Sequence, residues 1–418
     1  MSSNISLLGS TSRVETPVIF VQIGDFKFGV YRKSKGQSKD ANGFFNTETI
    51  VYPNYIQGLE ITKINGQVNQ YNLSISYPVR NGDDPNFFEK VFSSASETRK
   101  IIFSYGDMSL PSYIYREEEA IITKVTSDIN IESSTINYQV SAISSALLAE
   151  SASYPFINSG LKQPSVEIKN LLFNKNYGLQ EIFYGMNNKA LVESSGLIPG
   201  DDLAIHLQSF QSITPLDYLK YLVAAMQPRS STIKTTNVQD LYNLIIHDDT
   251  SGKFGGPYFE IKQVRKQLTQ SDAYSIDVGY PTANIVTQLR VENNENYSIF
   301  YKWQGKINDA EYTYRLNDKG EMEKTFAPVI SSNNETFATR VADSTWWTRV
   351  TEFPISLNLT IKGLLRPAIL MSAVRLNVYF FGIKHITSGL YVVTKQVDRI
   401  DTNGYRTTLS LTRIQGDD

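Results

Sequence analysis

The sequence predicts a mainly β (α+β) protein in which two related β-barrel modules are separated by a mixed α/β domain. Three observations carry this. Short segments with apolar residues at every second position recur along the chain, the period of a half-buried strand. The composition favours pleated surfaces and polar turns, with 25 tyrosines and 21 phenylalanines beside abundant Ile, Thr, Ser and Asn. The third is an internal similarity. Residues 389–415 read as two alternating strands around Thr402-Asn403-Gly404, and about 270 residues upstream an ungapped counterpart sets Ile121 to Ile143 against Val392 to Ile414. Both stretches open on two β-branched residues followed by Thr-Lys, turn on polar residues and close on an alternating strand.

The elements follow in order. After a polar tail (1–14), Pro17 to Val30 alternates as a strand pair around Gly24-Asp25, and Tyr55 to Tyr77 repeats the pattern around Asn65-Gly66. Asp84 and Pro85 supply a helix cap and a first-turn proline, with Phe88, Val91, Phe92 and Ala95 on one side, so the spacing predicts a helix over 85–96. Lys100 to Tyr105 is the next strand, Tyr113 to Tyr115 another, and Ala120 to Ile143 completes a first β-barrel domain over 15–150.

Ser, Ala, Pro and Gly dominate from Ala146 to Pro164, which places a boundary there and opens a mixed α/β domain over 151–270. Ser165 caps one expected helix and Thr214 another, the second carrying Leu219, Leu222, Val223 and Met226 at helical spacing. Leu241 to His247 and Tyr258 to Val264 are strands flanking a turn at 249–252. Alternation returns at Tyr274 to Gly279, Asn284 to Glu292 and Tyr297 to Trp303. After a polar insertion (305–344) with a ribbon at Glu311 to Leu316, it resumes at Ile355 to Ile361, Val374 to Phe381 and the terminal hairpin. These form a second β-barrel domain over 271–418.

Length and charge bound the function. A chain of 418 residues exceeds what one core usually serves. A formal net charge of -2 argues against a dedicated nucleic-acid binder. With no cysteine, disulfides and thiolate metal sites are excluded. No run of about 18 apolar residues and no secretory signal pattern is present, so a soluble chain without membrane insertion is expected.

Chemistry is sparse. His206, His247 and His385 lie in different regions. The local cluster His247-Asp248-Asp249 has ligand types for a divalent cation, but a strand end followed by an acidic turn accounts for it more simply. The glycines after Ser251 lack phosphate-loop spacing, and no serine nucleophile elbow occurs. Glu117-Glu118-Glu119 and Asp201-Asp202 offer paired carboxylates of the kind glycoside hydrolysis uses. The simpler reading of both is a solvated edge whose charges discourage stray pairing. Trp346-Trp347 suits core packing plus an interface better than a sugar platform. No catalytic, cofactor-binding or metal residue is therefore assigned.

Three stretches carry a family resemblance. Residues 274–291, with Tyr274-Ser-Ile-Asp-Val-Gly before a Val-Thr strand, are similar to the start of the second barrel in the tail (baseplate) hub proteins of bacteriophages and related contractile injection systems. Leu359 to Ala368 resembles that family's Gly-x-x-x-x-Pro-Gly segment, departing from it at Ala368, and Ser388 to Arg413 resembles its closing hairpin.

The resemblance implies a structural virion protein at the tail tip. It would be a homotrimeric baseplate hub whose two related barrels alternate in a six-part ring, joining the sixfold tail tube to the threefold central spike and lining the DNA channel. Implied partners are the tube or distal tail protein, the central spike protein, other baseplate proteins and the tape measure protein; DNA passes without specific binding, and no cofactor is implied. Two other classes remain beside it, a cell-wall-degrading tail enzyme and a carbohydrate-binding tail adhesin.

Overall fold

The structure, a computed structural model, describes residues 17–39, 45–94, 99–107, 116–226, 242–250, 253–263, 274–278, 286–293, 303–307, 310–316, 322–326, 355–362, 370–385 and 387–416. The expected strand at Tyr113 to Tyr115 and the Trp346-Trp347 pair lie outside them. The chain is mainly β.

Its first part runs β1 (Pro17–Ile23), β2 (Phe26–Lys39), β3 (Phe45–Val51), β4 (Ile56–Ile64), β5 (Gln70–Pro78), α1 (Phe87–Ser94), β6 (Lys100–Asp107), β7 (Arg116–Asn130) and β8 (Thr135–Ser144). Gly24 takes φ +55° in the two-residue turn between β1 and β2, and Gly66 takes φ +71° between β4 and β5, both where the sequence placed turns. Alternation in β4 and β5 sends Leu59, Ile61, Tyr71, Leu73 and Ile75 inward. There they meet Phe88 and Val91 of α1 and the inner residues of β1, β6, β7 and β8. Burying each such side chain contributes about 1.5–3 kcal/mol.

The middle part comprises β9 (Tyr154–Phe156), β10 (Leu161–Lys162), α2 (Pro164–Phe173), α3 (Leu179–Ile182), α4 (Lys189–Ser195), β11 (Ile205–His206), β12 (Phe210–Ile213), α5 (Pro215–Ala225), β13 (Tyr242–His247) and β14 (Tyr258–Gln263). It has its own apolar core, centred on Ile168, Leu172, Phe183, Leu219, Leu222 and Phe259. Helix α5 begins as expected, Thr214 Oγ1 accepting from the Asp217 amide at 3.2 Å. Helix α2 does not. Gln163 is its N-cap and Pro164 its first residue, so Ser165 sits inside the first turn, its amide and hydroxyl both donated to Asp202. A proline is pre-shaped for that first position, which moves the cap one residue upstream of the proline.

The last part contributes β15 (Tyr274–Val278), β16 (Val286–Asn293), β17 (Trp303–Ile307), β18 (Ala310–Leu316), β19 (Met322–Phe326), β20 (Ile355–Lys362), β21 (Ala373–Phe380), β22 (Ile383–Lys384), β23 (Gly389–Asp401) and β24 (Gly404–Gly416). Strands β17, β18 and β19 form a separate antiparallel ribbon, which contains the expected strand at Glu311 to Leu316. The others join the first part in one continuous sheet, ordered β16-β20-β24-β23-β4-β5-β8-β7-β6-β1-β2-β3, with β21 beside β23 and β15 parallel to β21.

The two parts repeat one plan. The order β4-β5-β8-β7-β6-β1 is matched by β16-β20-β24-β23-β21-β15, the final pair being antiparallel in the first and parallel in the second. Both long hairpins carry the same bulge. Ile122 pairs with Ala142 and Lys124 with Ser141, while Val393 pairs with Leu411 and Lys395 with Ser410. At each bulge the threonine hydroxyl donates across, Thr123 to the Ser141 carbonyl at 3.1 Å and Thr394 to the Ser410 carbonyl at 3.2 Å. Such bulges bend a strand and raise its twist.

The ungapped match is corrected in its second half. Four residues (131–134) link β7 to β8, but two (402–403) link β23 to β24, so Ile143 corresponds to Thr412 and not to Ile414. Sequence identity at Ile143 and Ile414 was a coincidence of register, because turn length sets pairing in a hairpin.

Candidate functional site at the junction of three segments

Alternation in three strands places polar groups on inward faces. Lys63 shares its face of β4 with Leu59 and Ile61, Glu118 shares its face of β7 with Ala120 and Ile122, and Asp398 shares its face of β23 with Ile400. Lys63, Glu118, Asp248 and Asp398 are all buried, at 3%, 2%, 2% and 0% exposure. Charges removed from water this completely require partners.

The partners form a chain of contacts. The Lys63 ammonium bonds to Glu118 Oε1, which also accepts from the Tyr105 hydroxyl at 3.0 Å. Glu118 Oε2 lies 2.8 Å from the Tyr71 hydroxyl, which is 2.9 Å from Asp248 Oδ2 on its other side. Tyr71 itself stacks flat on Phe103, ring centroids 5.0 Å apart. Asn69 Nδ2 donates to Asp248 Oδ2 at 2.8 Å, and the Ser144 hydroxyl donates to Oδ1. Asp398 lies two residue pairs from Lys63 along the β23·β4 ladder, opposite Ile61, while Gln396 faces Lys63. It accepts from Gln396, Thr407 and Tyr405.

Lys63, the cation of this cluster, bonds one of its three buried carboxylates, Glu118. Burial pushes the Glu118 carboxyl up, but the Lys63 ammonium and the Tyr71 and Tyr105 hydroxyls outweigh it and hold Glu118 below the usual carboxylate range. Among the described residues no cation bonds Asp248; burial, with the Glu118 charge adding, lifts its carboxyl to about 6 despite the hydrogen bonds of Ser144, Asn69 and Tyr71. Burial likewise raises Asp398.

Backbone contacts bind the same three segments. The Glu119 amide donates to the Asp248 carbonyl at 3.0 Å and the Thr250 amide to the Glu117 carbonyl at 2.7 Å, tying the end of β13 to β7. At the β4 to β5 turn, the Asn65 amide donates to the Thr394 carbonyl in the β23 bulge at 3.1 Å, and the Gly66 amide to the Leu244 carbonyl of β13 at 3.0 Å. The Asn-Gly turn that the sequence marks as an ordinary hairpin connection is therefore the point where first, middle and last parts meet.

Several expectations change here. Glu117-Glu118-Glu119 and Asp201-Asp202 are not solvated edges: Glu118, Glu119 and Asp202 are buried. Glu118 belongs to the junction, Glu119 pairs with Lys100 at 2.9 Å, and Asp202 holds the start of α2. The residues of His247-Asp248-Asp249 part company. His247 Nε2 lies 3.2 Å from Glu260 Oε2, with its ring stacked on Tyr258, whereas Asp248 turns to Ser144, Asn69 and Tyr71. Burial holds the His247 imidazole below its ordinary pKa, the Glu260 carboxylate opposing. Lys63, Tyr71 and Asp398 carried no functional reading in the sequence, although a lysine on the apolar face of an alternating strand is the signal for a buried ion pair. The assembly is closed to solvent, so these groups fix the relative placement of three chain segments and are not positioned to touch a substrate. No helix among the described residues is long and apolar enough to cross a membrane.

No family model matches the chain, and no curated protein matches it in sequence. Solved structures do match in fold. The tail protein from Neisseria meningitidis MC58 superposes with a TM-score of 0.51 at 10% identity, over 96% of this chain and 97% of that one. The 43 kDa tail protein of prophage MuSo2 from Shewanella oneidensis gives a TM-score of 0.49 at 11% identity, over 95% and 98% of the two chains. Along almost its whole length, this chain has the fold of the Neisseria tail protein.

Proposed function

We propose that the chain is a structural hub protein of a phage-type tail, acting as a homotrimer that joins a sixfold tube to a threefold spike at the virion tail tip. The observation that carries this reading is the repeat within one sheet: two modules of matching strand order, joined edge to edge through β4 and β23. Three copies of such a pair make six similar units, which gives one ring both threefold and approximate sixfold symmetry. In this reading 15–150 and 271–418 form the ring, and 151–270 with the insertion at 305–344 faces the spike or neighbouring baseplate proteins. The channel passes DNA without specific binding, in keeping with a near-neutral chain of net charge -2.

A catalytic role has less support. Glu118 and Asp202, central to the two acidic runs, are buried and committed to internal hydrogen bonds. Light scattering on purified protein should give a particle of three times 47.1 kDa, and electron microscopy with tube protein should show a threefold ring with six similar lobes. A monomer under every condition, tube protein included, would overturn the proposal, as would clearing of cell walls in a zymogram.

A further inference from the structure

The buried pair of Lys63 and Glu118 is more than a structural salt bridge requires. Its members stand on strands that do not touch in the sheet: β4 pairs with β5 and β23, and β7 with β6 and β8. Their side chains meet inside the first module, where a primary amine, the residue type that attacks carbonyl carbon, lies in direct contact with a carboxyl group. Aromatic rings wall the contact off, Tyr71 stacked on Phe103 and Tyr105 edge-on to Tyr405. Held as ions, the pair keeps two charges out of water at a cost that only good geometry offsets. An amide in its place would carry neither charge.

The groups around the pair suit that conversion. Both carboxylate oxygens of Glu118 are held by phenols, Oε1 by Tyr105 at 3.0 Å and Oε2 by Tyr71 at 2.8 Å. Charge collects on those two oxygens when a nucleophile adds to the carbon between them, and fixed donors stabilise it. The Lys63 amine lies against Oε1, 3.5 Å from the Tyr105 hydroxyl. Asp398, wholly buried, stands on the diagonal from Lys63 across the β23·β4 ladder, a second acid beside the amine.

We infer that Lys63 and Glu118 join covalently once the chain has folded, forming a side-chain amide between β4 and β7. The step needs no co-reactant. A proton passes from the ammonium to the carboxylate, the Nζ lone pair adds to Cδ, and the Cδ–Oε1 bond breaks. Oε1 leaves as water with two protons that began on nitrogen. Ammonium and carboxylate become amide and water, with no change of net charge or oxidation state. Tyr105 donates to the departing oxygen, and Tyr71 remains on Oε2, which becomes the amide oxygen. Contact between the reacting groups stands in for an effective concentration on the order of 10⁵–10⁸ M, and a closed site lacks the water that reverses the reaction. Lys63 and the two phenols hold Glu118 ionised at rest, so the uncharged pair is a minor state and the bond forms slowly. A bond made once per chain tolerates that. It closes a covalent loop over residues 63–118, which contain β5, α1 and β6.

Intact-mass measurement of the full-length protein in denaturant, after incubation in the folded state, tests this directly. The expected mass is that of the sequence less one water, and a tryptic digest should contain the Lys63 peptide joined to the Glu118 peptide and uncut at Lys63. Lys63→Arg keeps the cation but has no nucleophilic amine, and should show the full mass. Glu118→Gln should join the same two peptides with loss of ammonia in place of water, because its leaving group is nitrogen. Tyr105→Phe keeps the ring, removes the donor on the departing oxygen and should slow conversion on the order of 100-fold, read as the fraction of full-mass chains over time. A wild-type protein at the full mass of its sequence, with Lys63 and Glu118 in separate peptides, overturns the inference. So does a loss of water that persists in Lys63→Arg.

Discussion

Replacing Asp248 by Asn tests whether the buried junction carries an uncompensated acid. The side chain faces Ser144 from β8, Asn69 before β5, Tyr71 from β5 and Glu118 from β7, with Lys63 of β4 beyond Glu118. A carboxyl raised from 3.8 to about 6 binds its proton more tightly folded than unfolded. Its contribution to stability is therefore complete below the unfolded value and is lost as pH rises through about 6. Across that whole range a shift of about two units corresponds to about 3 kcal/mol; between pH 5 and pH 7.5 the portion lost is about 1.4 kcal/mol. His247, held neutral by burial, gives a slope of the opposite sign below its ordinary pKa, and Asp398 adds one of the same sign. Both groups are present in both proteins and cancel on subtraction. Urea unfolding followed by far-ultraviolet circular dichroism, at fixed ionic strength, should show Asp248→Asn costing about 1.4 kcal/mol more at pH 5 than at pH 7.5. An equal cost at both pH values, or a larger cost at pH 7.5, would refute the assignment of a raised carboxyl at this position.

Two further outcomes follow from the same geometry. Lys63→Met strands the Glu118 carboxylate without its cation and should destabilise by about 3–5 kcal/mol in denaturant melts, whereas Lys63→Met with Glu118→Gln should recover more than half of the loss. Asp202→Ala leaves the Ser165 amide and hydroxyl without their acceptor at the start of α2; a cost of about 2–3 kcal/mol, with faster amide exchange in residues 165–168, is expected, and unchanged exchange would count against a capping role.

Local elements were legible in the sequence because local rules decide them. Thr214 caps α5, Gly24-Asp25 and Asn65-Gly66 turn their hairpins, and alternation marks β4, β5, β8, β20, β21 and the terminal hairpin. The fold class and the repeat were visible for the same reason. What escaped was decided by partners far along the chain. Glu118 looks like one member of an exposed acidic run until its parity with Ala120 and Ile122 is followed inward, and its cation lies on β4, 55 residues upstream. The ungapped repeat failed where turn length, rather than residue identity, sets the register. Nothing local in β4 announces that its outer edge belongs to β23.

That pairing has a consequence for how the chain is made. Glu60 and Arg399, partners across the β4·β23 joint, are separated by 339 residues. At a synthesis rate of 5–20 residues per second, the outer edge of β4 emerges from the ribosome roughly 20–70 s before the strand that will cover it. Throughout that interval the nascent first module presents β4, which carries Leu59 and Ile61 and pairs with β5 on its other side, as an open edge, a template for association with any other extended chain. Its completion awaits β23, so truncation before Gly389 should leave the β4 edge of the first module open.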